Sequence, residues 1–150
     1  MTYVGRPLAR REDERFLMGR ARYLDDHDPP GLRQVAFARS YLAHARLGGV
    51  DAEAARASPG VVAVLTGADL ADVGVVPGGS VEGAWAADAY QRPLALEKVR
   101  YMGEPVALVV AETRAQAEDA AELVAVDYEP LDAVLDPRDP SGPILHEQLD

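Results

Sequence analysis

The stretch Glu104-Pro-Val-Ala-Leu-Val-Val-Ala111, followed by Thr113-Arg-Ala-Gln116 and then Val124-Ala-Val-Asp-Tyr128, decides the fold class. Its first part is a short, continuous apolar run rich in β-branched residues, the mark of a buried strand. Thr113 and Gln116 then have the spacing of a capping box, in which hydroxyl and amide each satisfy the other end's free N–H. The spacing predicts a helix to about Leu123, with Ala117, Ala120, Ala121 and Val124 on one face. Those small residues let a helix sit close to a sheet. Val124–Tyr128 reads as another strand, and Leu131–Leu135 as a short edge strand.

Upstream, Leu32–Arg39 partly alternates, with Val35 and Phe37 on one face, and reads as a strand. Ala45–Val50 is a second strand. Asp51 can cap a short helix over Ala52–Ala57, which Ser58-Pro59-Gly60 ends. Val61–Leu65 is a continuous apolar run and reads as a buried strand. Gly67–Leu70 is one helical turn at most. Residues 71–92 hold Gly74, Pro77, Gly78, Gly79 and Gly83 with little periodicity, so they form one long loop. Near the N-terminus, Ala21–Leu24 is a short strand, ended by the Pro and Gly of Asp25-Asp-His-Asp-Pro-Pro-Gly31.

The sum is a single α+β domain, with mixed strands and two main helices packed on one side. No strand leads into a phosphate-cradling glycine loop, so a doubly wound nucleotide fold is excluded. Residues 1–18 are expected to be a basic arm anchored by Phe16, Leu17 and Met18, residues 19–136 the folded domain, and residues 137–150 a Pro-rich tail or linker.

The length, 150 residues, is ordinary for one domain. A net charge of −10 argues against nucleic-acid binding. Residues 1–22 carry six Arg against three acids, whereas residues 101–150 carry two basic and twelve acidic residues. A basic arm on an acidic body fits either an arm laid on acidic protein surface or a solvated, frayed terminus. There is no cysteine, hence no disulfide, no thiolate metal site and no Cys nucleophile. No apolar run reaches the roughly 20 residues of a membrane span, and no secretory h-region is present. The expected location is the cytoplasm.

Several residue groups invite a chemical reading. Asp25, Asp26, His27 and Asp28 are metal-ligand types, but neighbours on one turn rarely converge on one ion. They read as a polar turn. His44 lies near Ser40, but a nucleophilic pair needs an orienting carboxylate and an oxyanion hole, and no nucleophile elbow is present. His44 therefore reads as a structural histidine bonded to backbone. His146 reads as a solvated tail residue. Gly78-Gly-Ser-Val-Glu-Gly83 lacks the Lys-Ser/Thr ending of a phosphate loop. Glu104 reads as a strand-start residue making a backbone bond or ion pair rather than a general base. Trp85 and Tyr90 are aromatics on a Gly-rich loop, which meet a ligand or partner or else cap the domain's own core.

Taken in order, Phe37-Ala-Arg-Ser40 with Ala43-His44-Ala45, then Pro59-Gly-Val-Val-Ala-Val-Leu-Thr-Gly67-Ala-Asp69-Leu70, then Val99-Arg-Tyr-Met-Gly103-Glu-Pro105 resemble the N-terminal domain of the molybdenum hydroxylase large subunit, the family of xanthine dehydrogenase, aldehyde oxidase and carbon monoxide dehydrogenase. Gly19-x-x-x-Tyr23-x-Asp25-Asp26 and the run from Ala120 to Leu131 add to the likeness. The resemblance implies an α/β hammerhead fold. It implies an oxidoreductase whose large subunit holds a molybdenum–pterin cofactor and passes electrons to iron–sulfur and flavin subunits or domains.

In that family the cofactor loops and catalytic glutamate follow the hammerhead, so no catalytic, cofactor or metal residue transfers to this chain. The loop before Arg92-Pro93-Leu94 resembles a stretch that approaches the substrate channel, which makes Trp85 and Tyr90 the substrate-channel candidates. The expectation is a domain that packs on the molybdenum-binding domains and is inactive alone. The alternative is a stand-alone, non-enzymatic binding or scaffold module.

Overall fold

The computed structural model describes residues 4–74, 91–136, 138 and 141–146. The chain divides into two compact units, residues 1–32 and 33–150.

The first unit holds one short helix, α1 (Asp13–Leu17), and a 3-10 turn over Leu24–Asp26. The basic arm thus carries one helical turn over Asp13–Leu17. Asp13 and Glu14 sit in the first turn of α1, where their charge complements the free N–H groups. Phe16 stacks on Tyr23 with ring centroids 6.3 Å apart. The expected strand at Ala21–Leu24 does not form. Asp26 takes the Tyr23 N–H at 2.8 Å, a local bond that competes with any ladder.

The second unit contains two three-stranded antiparallel sheets. Its elements are β1 (Gln34–Arg39), β2 (Ala45–Asp51), α2 (Glu53–Arg56), β3 (Val61–Thr66), β4 (Lys98–Val99), β5 (Pro105–Ala111), α3 (Arg114–Glu122) and β6 (Ala125–Pro130). Sheet one has the order β1-β5-β3, and sheet two β4-β2-β6.

Helices α2 and α3 lie on one face of sheet one. There Ala52 and Ala55 meet Ala120, Val64 and Val109 in a core cluster. A second cluster, under sheet two, joins Ala45, Ala95, Val99 and Val106. Both are built from alanine and valine, so backbones approach closely and any added methyl is felt.

The predicted cap of α3 is present. Gln116 N–H bonds to Thr113 Oγ1 at 3.3 Å, and Thr113 N–H bonds to Gln116 Oε1 at 3.1 Å. At α2, Asp51 takes the Glu53 N–H at 2.9 Å, although the capping position itself is Ala52. Gly60 turns the chain into β3 with φ +78°, and a side chain there would strike that of Gln116.

Two expectations on strands need correcting. β3 is buried only at Val64 and Thr66: Val61, Ala63 and Leu65 are half-buried, and Val62, at a register slip between Val61 and Ala63, is exposed. Leu131–Leu135 is not a strand. Leu131 N–H bonds to the His44 carbonyl, but the Asp132 carbonyl is taken by the His44 side chain, so no ladder continues.

Candidate functional site

Among the described residues four polar ones are buried in the core, Ser40, His44, Thr66 and Glu104. Every one belongs to the sequence phrases that carried the family likeness. They lie at strand ends where the chain passes between the sheets.

Ser40 follows β1. Its N–H bonds to the Glu104 carbonyl at 2.9 Å, and its carbonyl takes the Gly103 N–H at 2.8 Å. Its hydroxyl donates to the Leu42 carbonyl and accepts from Leu42 N–H, at 2.9 and 3.1 Å. Arg39 adds a bond from Nη1 to the Gly103 carbonyl.

His44 Nδ1 lies 2.7 Å from the Asp132 carbonyl. A carbonyl only accepts, so Nδ1 carries the proton. The backbone-bonding role expected of His44 is the observed one. Its Nε2 is buried without a hydrogen-bond partner among the described residues.

Glu104 precedes β5, and its carboxylate takes the Arg100 N–H at 2.5 Å. The expected backbone bond is therefore present. Burial pushes the Glu104 pKa up, against the opposing pull of the Arg100 N–H and charge, the Tyr101 N–H and the His44 charge.

Ser40, His44 and a carboxylate thus share one region, yet they make no catalytic set. The serine hydroxyl bonds Leu42 and also acts on the Tyr128 phenol, the His44 N–H points at a carbonyl, and the Glu104 carboxylate holds a backbone amide. Neither a nucleophile–base bond nor a base–carboxylate bond exists. The residues are 3%, 5% and 5% exposed. They fix the connecting segments: Ser40 and Glu104 close turns on Leu42 and Arg100, and His44 ties the start of β2 to Asp132.

Thr66 was not singled out in the sequence. Its N–H and hydroxyl both donate to Asp69 Oδ2, at 2.7 and 2.8 Å. These bonds, with a weaker pull from Arg56 at 3.9 Å, hold the Asp69 pKa down. The Thr66-Gly-Ala-Asp69 spacing was the available signal, since a carboxylate three residues on can close such a turn. Between them, Gly67 lies against the Ala95–Leu96 backbone with no room for a Cβ.

Trp85 and Tyr90 lie outside the described residues. The flanks of their segment are described. Arg92 Nη1 reaches the Ala71 carbonyl at 3.2 Å, which joins the strand-side and return-side ends. Leu94 and Ala95 then enter the core, and Ala95 N–H bonds to the Pro105 carbonyl at 2.8 Å.

His146 is half-buried rather than solvated. Burial first, then the charges of Arg100 and Lys98, push its pKa down. Arg100 Nε also holds the Leu145 carbonyl at 2.9 Å. Among the described residues no group of three His, Cys, Asp or Glu converges as metal ligands would, Asp25, Asp26, His27 and Asp28 included. No described helix is long and apolar enough to cross a membrane.

Residues 18–132 match the family model for the aldehyde oxidase and xanthine dehydrogenase a/b hammerhead domain. The chain belongs to that family. The hammerhead chain is 46% identical over 138 residues to the nicotine 6-hydroxylase large subunit of Paenarthrobacter nicotinovorans, covering 90% of this chain and 16% of that protein. It is 43% identical over 149 residues to the carbon monoxide dehydrogenase large chain of Afipia carboxidovorans, covering 97% of this chain and 18% of that protein. Among solved structures it matches the Cu,Mo-CO dehydrogenase with a TM-score of 0.84 at 42% identity, over 97% of this chain and 18% of that one. The quinoline 2-oxidoreductase of Pseudomonas putida 86 matches with a TM-score of 0.75 at 46% identity, over 85% and 16%. The hammerhead chain thus spans less than a fifth of these relatives' length.

Proposed function

We propose that this chain is the hammerhead part of a molybdenum hydroxylase large subunit, that it packs on the molybdenum-binding domains, and that it shapes the substrate channel without being catalytic alone. The observation that carries this reading is the fate of its buried polar residues. Ser40 and Glu104 close local turns on Leu42 and Arg100, and His44 ties the start of β2 to Asp132, so the chain invests this polar chemistry in holding a shape. The family's large subunits supply the second support.

The residues present do not fit a molybdenum–pterin cofactor. Among the described residues the buried side-chain donors already have partners, Ser40 and His44 on carbonyls and Thr66 on the Asp69 carboxylate, and the orphan nitrogen, His44 Nε2, has no metal-ligand group beside it. The cofactor and the reacting groups would therefore come from the molybdenum-binding polypeptide, with iron–sulfur and flavin units as electron acceptors, in the cytoplasm. Trp85 and Tyr90 would line the channel wall, on a segment whose ends Arg92 pins together.

Two measurements test this. Affinity capture of the chain from its source cells, followed by metal analysis, should recover molybdenum; a clean monomer would favour the scaffold module instead. In the reconstituted enzyme, Trp85→Ala should change substrate preference or rate. Unchanged kinetics would remove Trp85 from the channel.

A further inference from the structure

In sheet one the face opposite α2 and α3 is apolar and in register. Ala36 pairs with Val109, which packs toward Ala120, so the even residues of β1 face the helices. The odd residues face the other way. Across the three strands that other face reads Val35, Val110, Ala63 in one row and Phe37, Leu108, Leu65 in the next. Val35 and Phe37 are 48% and 43% exposed, and the other four are half-buried. Arg39 continues the same side of β1, its guanidinium over the Phe37 ring at 5.0 Å.

An antiparallel sheet commonly packs one apolar face and leaves the other polar and solvated, so a second face that is apolar and exposed marks an interaction surface. Here α2 and α3 cover only one. Two facts say what the other face takes. The curated relatives extend far beyond the part this chain matches, so a large polypeptide surface accompanies this fold in them. The patch is also edged by a cation on a chain whose net charge is −10, so an acidic margin on the partner would be complementary.

Resting on the function proposed above, we infer that the Val35–Phe37 face of sheet one is the surface that docks the molybdenum-binding polypeptide, through an apolar centre with a carboxylate near Arg39. The partner's apolar side chains lie across the two rows, and Arg39 pairs at the margin.

The absence of cysteine makes a direct footprint simple. Val35→Cys and Leu123→Cys each place a single thiol at matched exposure, 48% and 49%, on and off the face. Each variant is alkylated with a maleimide, alone and with the polypeptide carrying the remaining large-subunit sequence. Docking should slow labelling at Val35→Cys about tenfold or more and leave Leu123→Cys within about twofold. Phe37→Glu, with its fold checked by circular dichroism, should weaken co-elution about tenfold or more.

Co-elution of the wild type with no protection at Val35→Cys would overturn the face and spare the proposed function. Absence of any co-elution by the wild type would sink the proposed function, and this inference with it. Protection of Val35→Cys in the chain alone, rising with its concentration, would assign the face to a second copy and refute the occupant.

Discussion

Asp69 Oδ2 accepts both the backbone N–H and the hydroxyl of Thr66, closing the turn that follows β3. The charge is the useful part, because a carboxylate accepts more strongly than a neutral oxygen. Asp69→Ala should cost about 1–2 kcal/mol, since it strands the Thr66 donors at a buried position. The pH dependence follows from the lowered pKa. The stabilisation is present above the unfolded pKa, about 3.9, and is lost as pH falls through the folded value. Urea melts across acid pH should show that loss in the wild type and not in Asp69→Ala. Parallel profiles would refute the role.

Gly67→Ala should be more damaging than its single methyl suggests. The new Cβ would fall on the Ala95 carbonyl and within 2.8 Å of its carbon and 2.9 Å of Leu96 Cα. These are backbone atoms and cannot rotate away. A loss of about 2–3 kcal/mol is expected, the scale of overpacked cores. A thermal midpoint equal to that of the wild type would show that the two segments separate freely.

Glu104→Gln tests whether the carboxylate charge is useful. Burial raises the Glu104 pKa, so the folded state binds the proton more tightly than the unfolded chain. Its contribution is most favourable below the unfolded pKa, about 4.3, and declines as pH rises through the folded value. Glutamine keeps an acceptor for the Arg100 N–H and carries no charge. The variant should match or exceed wild-type stability at neutral pH and lose the decline. A large loss at pH 7 would mean that the ionised group is needed.

Thr113→Ala removes one half of the α3 cap, whose hydroxyl bonds to Gln116 N–H and Oε1. The expected loss is about 1 kcal/mol. Because α3 packs Ala117 and Ala120 into the core, the loss should register in global unfolding and not only as end fraying. Hydrogen exchange of the α3 amides distinguishes the two.

The elements with strong local signals were legible. The apolar run before Thr113, the capping box and the small-residue face of α3 each predicted what the chain does. The failures came where one side chain diverted a backbone group. Asp26 pulled Tyr23 out of a strand, and His44 took the carbonyl that an edge strand at Leu131–Leu135 would have needed. His44 and Glu104 make the backbone bonds expected of them, though nothing in their spacing placed them near each other. Trp85 and Tyr90 remain candidates on sequence grounds.

The order of motifs by itself determined the family and the α+β class, because strand, cap and turn signals act over a few residues. Only the tertiary structure decided that Ser40, His44, Thr66 and Glu104 are buried polar residues, each with its own partner. Only it put Val35 and Phe37 in register with Val110 and Leu108 on a face without helices. Pairing between strands about 70 residues apart is set by packing, and no local pattern of residues encodes it.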